Sequence, residues 1–327
     1  MNNIIQKSFN KIITNLIKQI NTQCILLAIS GGQDSLCLIK LVENFKNNYE
    51  RSNQKLKTEY IYIDHQWKSN SKKKIKYLIH YLKSIQENLK IYQVKDITFS
   101  EDTCRKYRYN IIFQHAVKYK QKIIITAHTS TDKTETFFQN LIRGTSIEGL
   151  NSLNLQRKVN KNLYIIRPLI NTSRDNIYWM CKKFFLPIWS DTTNYNYYIE
   201  RNRIRNEFIP YLKTYFHKDI ENRIEYFLKI YYYDNEYIKQ SILKLYLNSI
   251  HNKYIALNYE KIQKQNFGLQ IRTIQFFSFH NFYIFLNFKK LVKFLSNINK
   301  QKTNSYIKYK NLKFHIINYW IYVSIQN

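Results

Sequence analysis

Short apolar segments alternate with amphipathic segments in the first part of the chain. Residues 24–29, CILLAI, form a continuous apolar run, which is typical of a strand buried on both faces. The residues after it place Leu36, Ile39 and Val42 at helical spacing. Similar runs predict further strands at residues 60–63, 91–97, 123–126 and 164–166. The alternation predicts an α/β fold with a mostly parallel, doubly wound sheet and helices on both of its faces.

The pattern changes near residue 216, where amphipathic helical stretches replace the strand-like runs. A long helical pattern covers residues 220–247, a Lys- and Asn-rich break follows at 297–305, and the last segment is strand-like and rich in Tyr and Ile. No Gly- or Pro-rich linker and no internal repeat marks a boundary. We predict two domains, residues 1–215 and a smaller, mainly helical domain of residues 216–327.

The stretch SGGQDS, residues 30–35, lies between the first predicted strand and the helix after it. The chain has only 5 glycines, and two of them are adjacent here. A strand-to-helix turn directs backbone N–H groups and the positive end of a helix toward one point, where a phosphate is stabilised. Glycines let the phosphate approach closely, and the two serines add donors. Asp34 would repel a bare phosphate, so it indicates a bridging divalent cation or a positioned hydrogen-bond donor. A tight turn without a ligand is the alternative.

Polar side chains also follow the other predicted strands, where ligands bind in open α/β sheets. Asp64 and His65 follow the second strand, and Arg105 and Arg108 follow the third. Arg167 follows the fifth. Because arginine grips phosphate with two parallel hydrogen bonds, these arginines are candidates for contact with a phosphorylated substrate. Solvated surface residues are the alternative for each of them taken singly.

The helix after the fourth strand carries a second set of candidate catalytic groups. His128 and Asp132 lie four residues apart and therefore share a face, with Glu135 one turn further along. An imidazole can accept a proton from an amine that becomes a nucleophile, and a carboxylate can hold an ammonium group. The alternative is a histidine at a strand end and an acid at a helix start, where acids are favoured anyway.

The net charge of the chain indicates which class of molecule it binds. With 52 Lys and Arg against 22 Asp and Glu, the formal net charge is +30, which favours a polyanion such as nucleic acid. AT-rich codon usage, which enriches Lys, Asn, Ile, Tyr and Phe, explains part of this excess. The 4 cysteines form no C-x-x-C pair and no zinc spacing, so we expect small core residues in a reducing compartment. We expect no membrane span and no signal peptide.

Taken together, these motifs resemble the PP-loop family, the N-type ATP pyrophosphatases. The resemblance runs from about residue 24 to residue 212 through SGGQDS, DHQWK, EDTCRKYRY, TAHTSTDKTETFFQNLIRGTSIEGL, IIRPL, SDTTN and RNRIRNEFIP. The hexamer alone indicates the superfamily. The block leading into Arg143 and the cluster of Arg201, Arg203 and Arg205 resemble the branch that modifies the wobble cytidine of a tRNA anticodon.

The resemblance implies a two-step reaction on tRNA(Ile) with a CAU anticodon. ATP first adenylates the wobble cytidine and releases pyrophosphate, and free L-lysine then displaces AMP. Residues 1–215 would be the ATP-binding catalytic domain, and residues 216–327 would serve the tRNA. Missing leader features and bacterial-type motifs suggest a protein of the plastid stroma, with a bacterial cytoplasm as the alternative. The oligomeric state stays open.

The resemblance also assigns roles to individual residues. Asp34, His128 and Asp132 would be catalytic, and Asp34 would bind Mg²⁺. The residues that would hold ATP are Ser30, Gly31, Gly32, Gln33, Asp34 and Ser35. The residues that would contact the other substrates are Asp64, His65, Arg105, Arg108, Glu135, Arg143, Arg201, Arg203 and Arg205. Arg167 and Arg174 are further arginines that could reach ATP or the tRNA backbone.

The sequence departs from the family pattern at two places, and each departure changes one expected contact with a substrate or a metal. Thr131 and Lys133 stand beside Asp132, where the family usually has a second acid and a glutamine, so Asp132 could serve either the lysine or the metal. Trp67 and Lys68 replace the usual Leu and Arg, which keeps the charge but loses a bidentate fork.

Three other functions share some of these features. A sulfur-inserting tRNA thiolase has the same hexamer but often a C-x-x-C pair to carry sulfur. An amidotransferase such as GMP or asparagine synthetase needs a source of ammonia and has little need of a strongly basic chain. A non-enzymatic RNA-binding module would explain the charge but not the strand-end motifs, and ATP consumption would distinguish it.

Overall fold

The computed structural model describes residues 2–51, 55–66, 71–94, 101–150, 153–188, 197–299, 306–309 and 311–325. Trp67, Lys68, the SDTTN motif at 190–194 and the end of the strand predicted at 91–97 lie outside these ranges. The chain divides into two compact units, Met1–Leu228 and Lys229–Asn327. The domain boundary expected near residue 215 stays a prediction.

A six-stranded sheet forms the centre of the first unit. Its strands are β1 (Cys24–Ile29), β2 (Lys57–Asp64), β3 (Leu89–Gln93), β4 (Ile123–Thr126), β5 (Gln156–Asn160) and β6 (Leu163–Ile166). The strand order is β3-β2-β1-β4-β6-β5. All neighbours pair in parallel except β5, which is antiparallel to β6. The predicted mostly parallel sheet is confirmed.

Helices cover both faces of this sheet. They are α1 (Asn2–Ile20), α2 (Gln33–Glu50), α3 (Ser71–Ser84), α4 (Glu101–Lys118), α5 (Ser130–Ile142), α6 (Ile147–Leu150), α7 (Arg174–Lys183), α8 (Glu200–Arg203) and α9 (Ile209–Tyr215). A π-helical turn, Ile204–Phe208, joins α8 to α9. Ile25 and Leu27 of β1 belong to one buried cluster, whereas Leu26 belongs to another. Successive strand residues therefore bury opposite faces, which explains the continuous apolar run.

The second unit combines helices with a small antiparallel sheet. Helix α10 (Ile220–Ser249) contains the boundary between the units, and α11 (Tyr259–Gln263), α12 (Phe267–Phe282) and α13 (Phe288–Asn299) follow it. Strands β7 (Ala256–Asn258), β8 (Tyr306–Tyr309), β9 (Leu312–Ile317) and β10 (Trp320–Ile325) pair in the order β7-β10-β9-β8. Leu257, Phe277 and Phe314 lie in the core of this unit. The predicted helical region with a strand-like end is confirmed.

The described helices include none that is both long enough and apolar enough to cross a membrane.

Candidate active site

The glycine turn joins the carboxyl end of β1 to the start of α2. The backbone N–H of Ser30 donates to Ser35 Oγ at 3.0 Å, and the two serine hydroxyl oxygens are also 3.0 Å apart. Gly32 is the N-cap of α2, and no side chain caps the helix there. Amides at such an uncapped helix start are suited to an anion.

Gly31 leaves no room for a side chain in this turn. Its φ is +70°, and a Cβ atom there would lie 2.7 Å from Leu78 Cδ1 and 2.9 Å from Lys74 Cε of α3. Both the backbone angle and the close packing of α3 therefore favour glycine at this position.

Asp34 lies in the first turn of α2 and faces Arg174 at the start of α7. Arg174 Nη2 is 3.7 Å from Asp34 Oδ2, and Gln33 Nε2 donates to the Arg174 carbonyl at 3.3 Å. The other carboxylate oxygen, Asp34 Oδ1, is buried without a hydrogen-bond partner among the described residues. Burial raises the pKa of Asp34 to about 6; Arg174 opposes this shift, and Asp132 adds to it.

A divalent cation fits the unpartnered oxygen of Asp34. Mg²⁺ commonly binds one or two carboxylates and takes its other ligands from water and substrate phosphates. The described residues contain no group of three or more His, Cys, Asp or Glu side chains that could hold a metal alone. A magnesium site at Asp34 would therefore be completed by the phosphates of the bound nucleotide.

Two buried acids of α5 are paired with two arginines that follow Glu200, and we call these four residues the acid–arginine cluster. Arg201 donates from Nη2 to Asp132 Oδ1 and from Nε to Glu135 Oε2, both at 2.7 Å. Arg205 Nη2 donates to Glu135 Oε2 at 2.8 Å, and its Nε contacts Glu135 Oε1. Glu135 is fully buried. Arg205 Nη2 also donates to Asp132 Oδ1 at 3.3 Å. Each guanidinium thus bonds both acids, which compensates the cost of burying them.

Asp132 has a local role as well. Thr129 is the N-cap of α5, and Asp132 Oδ2 accepts hydrogen bonds from the Thr129 backbone N–H at 2.9 Å and from its hydroxyl at 3.0 Å. This is a capping box. Burial acts to raise the pKa of Asp132, but Arg201, His128 and Arg205 outweigh it and lower the pKa to about 2. Asp132 is therefore a carboxylate at every physiological pH.

His128 is held at the carboxyl end of β4, beside the cluster. Its Nδ1 lies 2.8 Å from Thr126 Oγ1. Burial lowers the pKa of His128 to about 3; Asp132 opposes this shift, whereas Arg167 and Arg105 add to it. The imidazole is consequently neutral at physiological pH, with one ring nitrogen able to accept a proton.

Three of the remaining predicted substrate residues lie at the carboxyl end of β2 and on the neighbouring helix α4. Asp64 ends β2, is buried and accepts a hydrogen bond from the Gln66 backbone N–H at 3.0 Å. Arg108 Nε is 3.4 Å from His65 Nε2, so α4 and the end of β2 meet there. Burial lowers the pKa of His65, and Arg108 lowers it further.

Two of the predicted arginines pair with exposed acids instead of the buried ones. Arg143 Nη2 is 3.5 Å from Glu200 Oε2, and Arg203 Nε is 3.3 Å from Glu207 Oε2. The RNRIR motif is thereby divided by its own helical turn: Arg201 and Arg205 face the interior, and Arg203 faces solvent.

The family model of the PP-loop domain matches residues 1–212. The tRNA(Ile)-lysidine synthase of Gracilaria tenuistipitata var. liui, named as chloroplastic, is 46% identical over 309 residues, which cover 94% of this chain and 94% of that protein. The chain belongs to the tRNA(Ile)-lysidine synthase family.

Two other members of the lysidine synthase family are similar over most of this chain. The chloroplastic enzyme of Pyropia yezoensis is 36% identical and covers 77% of this chain and 75% of its own length. The enzyme of Nostoc sp. strain PCC 7120 is 34% identical, with 68% and 63% covered. These matches confirm the predicted PP-loop resemblance, and with it the use of ATP, and favour lysidine synthesis over the thiolase alternative.

Sequence reasoning missed several residues around this candidate site. Arg174 was noted without its partner Asp34, because α2 and α7 are far apart in the sequence. Lys213 and Glu221 were not singled out, yet Lys213 Nζ contacts Glu221 Oε2 beside a cavity of about 450 Å³ that Thr131 and Arg174 also line. Neither residue follows a strand, so no pattern in the sequence marked them.

Proposed function

We propose that this chain ligates free L-lysine to C2 of the wobble cytidine in the CAU anticodon of tRNA(Ile), using ATP. The similarity to lysidine synthases over 94% of the chain carries this proposal. The site supports it with a phosphate-binding turn, an unpartnered carboxylate oxygen, and a neutral imidazole beside buried arginines. The reaction forms a carbon–nitrogen bond and releases pyrophosphate and AMP.

The first half-reaction belongs to the glycine turn. Cytosine O2 attacks the α-phosphate of ATP, and Ser30, Ser35 and the first amides of α2 would hold the departing pyrophosphate. Asp34 would hold Mg²⁺, which supplies positive charge to the phosphates during bond cleavage. Arg174, which already pairs with Asp34, would add a second positive charge on the same side.

The second half-reaction needs the ε-amine of lysine as a neutral nucleophile. His128 would accept its proton, because the imidazole is uncharged before substrate binds. The negative charge of bound ATP would raise the pKa of His128 and make it a better base. Asp132 would steady the arriving ammonium, and its bonds to Arg201 and Thr129 hold the carboxylate in one orientation.

The direct test supplies ATP, radiolabelled lysine and tRNA with a CAU anticodon. We expect pyrophosphate release and lysine incorporation only when the wobble cytidine is present. A tRNA that lacks this cytidine is the control. Lysine incorporation into the control, or none into the cognate tRNA, would overturn the proposal.

An Asp132→Asn variant separates the two half-reactions. We expect lysine transfer to fall further than pyrophosphate release, so that adenylated tRNA accumulates. An equal loss of both signals would instead assign Asp132 to the metal, the alternative that Thr131 leaves open.

The cysteines give the thiolase alternative no support. Cys37, Cys104 and Cys181 are buried and Cys24 is half-buried, so no thiol is presented at the surface as a sulfur carrier.

We further propose the plastid stroma as the working compartment, with a bacterial cytoplasm as the alternative. Support comes from the relatives named as chloroplastic, of which the first is 46% identical. Mapping the coding sequence to a plastid or a bacterial genome decides between them.

A further inference from the structure

The hydroxyl of Thr126 holds one side of the His128 ring. Thr126 is the last residue of β4, and its Oγ1 lies 2.8 Å from His128 Nδ1. Thr126 is buried, whereas His128 is half-buried and keeps part of its surface exposed. Because Nδ1 is occupied by the hydroxyl, Nε2 is the ring nitrogen that is left for a substrate.

The position of the single hydrogen on the His128 ring determines what Nε2 can do. A neutral imidazole carries one N–H, on either Nδ1 or Nε2. Burial lowers the pKa of His128 to about 3, so the ring is neutral at physiological pH and both tautomers are available to it. A threonine hydroxyl can donate or accept, and the 2.8 Å contact alone therefore fits both forms. The other groups around the ring decide between them.

The charged groups around His128 disfavour a hydrogen on Nε2. Arg167, Arg105 and Arg201 act on the ring, and guanidinium groups only donate hydrogen bonds. Asp132 is the acid that acts on it. None of the three cations could accept a hydrogen bond from Nε2, so Asp132 is the acceptor that has to be considered.

The carboxylate of Asp132 has no acceptor position to spare. Its Oδ1 accepts from Arg201 and Arg205, and its Oδ2 accepts from the backbone N–H and the hydroxyl of Thr129. A carboxylate offers about four acceptor positions, so these four hydrogen bonds fill it. A hydrogen on Nε2 would therefore lack an acceptor on Asp132, whereas a hydrogen on Nδ1 has one in the hydroxyl of Thr126.

Resting on the proposed function, we propose that Thr126 is a positioning residue, whose hydroxyl accepts the Nδ1–H of His128 and leaves Nε2 to take the proton of lysine. The ε-ammonium gives one proton to Nε2, and the electron pair that stays on the amine nitrogen forms the bond to C2 while AMP leaves. The ring becomes an imidazolium, and its charge strengthens the bond from Nδ1–H to the hydroxyl. Thr126 would thus hold the base in its reactive tautomer and stabilise its charged form.

The tautomer can be measured directly in the free protein. Long-range ¹⁵N–¹H correlation spectra of histidine-labelled protein at pH 7 should show a protonated Nδ1 and an unprotonated Nε2 for His128, whose signals are identified by their loss in His128→Gln. His115 is an internal reference. Its Nε2 lies 3.2 Å from Glu59 Oε1, and its Nδ1 lies 2.9 Å from the hydroxyl of Tyr92. Because a carboxylate only accepts, we expect the hydrogen on Nε2 of His115.

Thr126→Val keeps the branched shape of the side chain and removes the hydroxyl. We expect both tautomers of His128 in this variant, and kcat for lysine transfer about 10- to 100-fold lower, the usual cost of losing a group that orients a functional histidine. The KM for lysine and the rate of pyrophosphate release should each change by less than about threefold. Thr126→Ser, which keeps the hydroxyl, should restore both the tautomer and kcat.

Tyr92→Phe is the matched control, because it removes a hydroxyl at a similar distance from Nδ1 of another histidine in the same unit. It should leave lysine transfer and the signals of His128 unchanged. A hydrogen on Nε2 of His128 in the wild type would overturn the inference, and this spectrum decides even if Thr126→Val does not fold. Wild-type kcat in Thr126→Val, or equal losses of lysine transfer and pyrophosphate release, would overturn it too.

Failure of the proposed function gives a different result. A wild type that carries the hydrogen on Nδ1 and releases pyrophosphate with cognate tRNA, but incorporates no lysine, overturns the proposed function and leaves the tautomer assigned. The two failures are therefore distinguishable.

Discussion

Charged residues are used differently in the two units. In the first unit, the acid–arginine cluster pairs each of its two acids, Asp132 and Glu135, with both guanidinium groups. In the second unit, no Asp or Glu occurs after Glu260, and Lys290, Lys293 and Lys308 line a cavity of about 290 Å³ with Tyr306. We call this cavity the basic pocket. In the acid–arginine cluster, the charges of the acids and the arginines compensate each other. The lysines of the basic pocket lie in a segment of the sequence that contains no acid.

Two lysines of neighbouring strands lie on the Tyr306 ring of the basic pocket. Lys308 of β8 lies directly opposite Lys313 of β9, and their Nζ atoms are 5.7 and 4.7 Å from the centre of the Tyr306 ring. Like charges opposite each other destabilise a sheet. We therefore expect a bound polyanion to stabilise the sheet by reducing the repulsion between Lys308 and Lys313. The comparison teaches that the residues counted in a net charge of +30 differ in their surroundings: some are paired with buried acids, and others lie in a segment without acids.

Breaking the internal pairing should have the largest effect on stability. Glu135→Gln leaves the two partly buried guanidinium groups with a single carboxylate, that of Asp132, so we expect a loss of about 3–5 kcal/mol in the free energy of unfolding. Urea unfolding followed by circular dichroism measures it. Lys293→Gln in the basic pocket is the contrasting control and should not destabilise. A loss below about 1 kcal/mol for Glu135→Gln would contradict the role given to the cluster.

Asp34→Asn should separate activity from stability. We expect pyrophosphate release to fall about a hundredfold or more, because the metal loses its anionic ligand. The pKa of Asp34 is raised from 3.8 to about 6, so its contribution to stability is present below 3.8 and is lost as pH rises through about 6. At pH 7 the variant should therefore be more stable than the wild type, by at most about 3 kcal/mol.

Thermal unfolding without Mg²⁺ at pH 7 and again at pH 4 checks this sign. The difference between the variant and the wild type should shrink at the lower pH. A variant that is less stable at pH 7 would contradict the raised pKa of Asp34. Pyrophosphate release at the wild-type rate would contradict its proposed role as a metal ligand.

Neutralising lysines of the basic pocket should weaken the binding of tRNA and leave the rates of the catalytic steps unchanged. For Lys293→Gln combined with Lys308→Gln we expect about a tenfold loss in tRNA affinity at moderate salt, and a salt-dependence slope reduced by about 1 to 2. Lys244→Gln with Lys253→Gln, an equal change of charge at exposed sites of the same unit, should cost clearly less. Filter binding over a series of salt concentrations measures both pairs, and equal losses would show that only net charge matters.

Arg203→Gln should have the smallest effect. Its partner Glu207 is exposed, and exposed pairs contribute about 1 kcal/mol or less to stability. Arg201→Gln is the comparison from the same motif and should destabilise severalfold more, because its partners are buried. Equal effects in urea unfolding would mean that the motif is not divided into an inner and an outer side.

Sequence patterns predicted the strands of the first unit that begin in an apolar run and missed the strand that has none. The run at 24–29 marks β1 because both faces of that strand are buried. Strand β5, with the sequence QRKVN, was missed because it is a mostly exposed edge strand without an apolar face. Edge strands are stabilised by backbone pairing, which leaves little trace in side-chain composition.

In the candidate active site, too, the sequence predicted features formed by neighbouring residues and not those formed by tertiary packing. The hexamer at 30–35 could be interpreted because turn, donors and carboxylate are contiguous. Asp132 was recognised as a candidate, but its capping box with Thr129 was not, although the Thr-x-x-Asp spacing was visible. Its pairing with Arg201 could not be deduced, since 69 positions separate them and only tertiary packing brings them together.

The two glycines with a positive φ, Gly31 and Gly144, differ in how far another residue could replace them. Among the described residues, eight that are not glycine adopt a positive φ, including Asn21 and Phe185. The chain therefore tolerates about 1 kcal/mol or more of backbone strain at such positions. Gly31 differs because Leu78 occupies the space that a Cβ would need. At Gly144, with a φ of +67°, no described atom lies within 4 Å of that space. In an AT-rich genome, we therefore expect substitution of Gly144 by asparagine to be tolerated more readily than any substitution of Gly31.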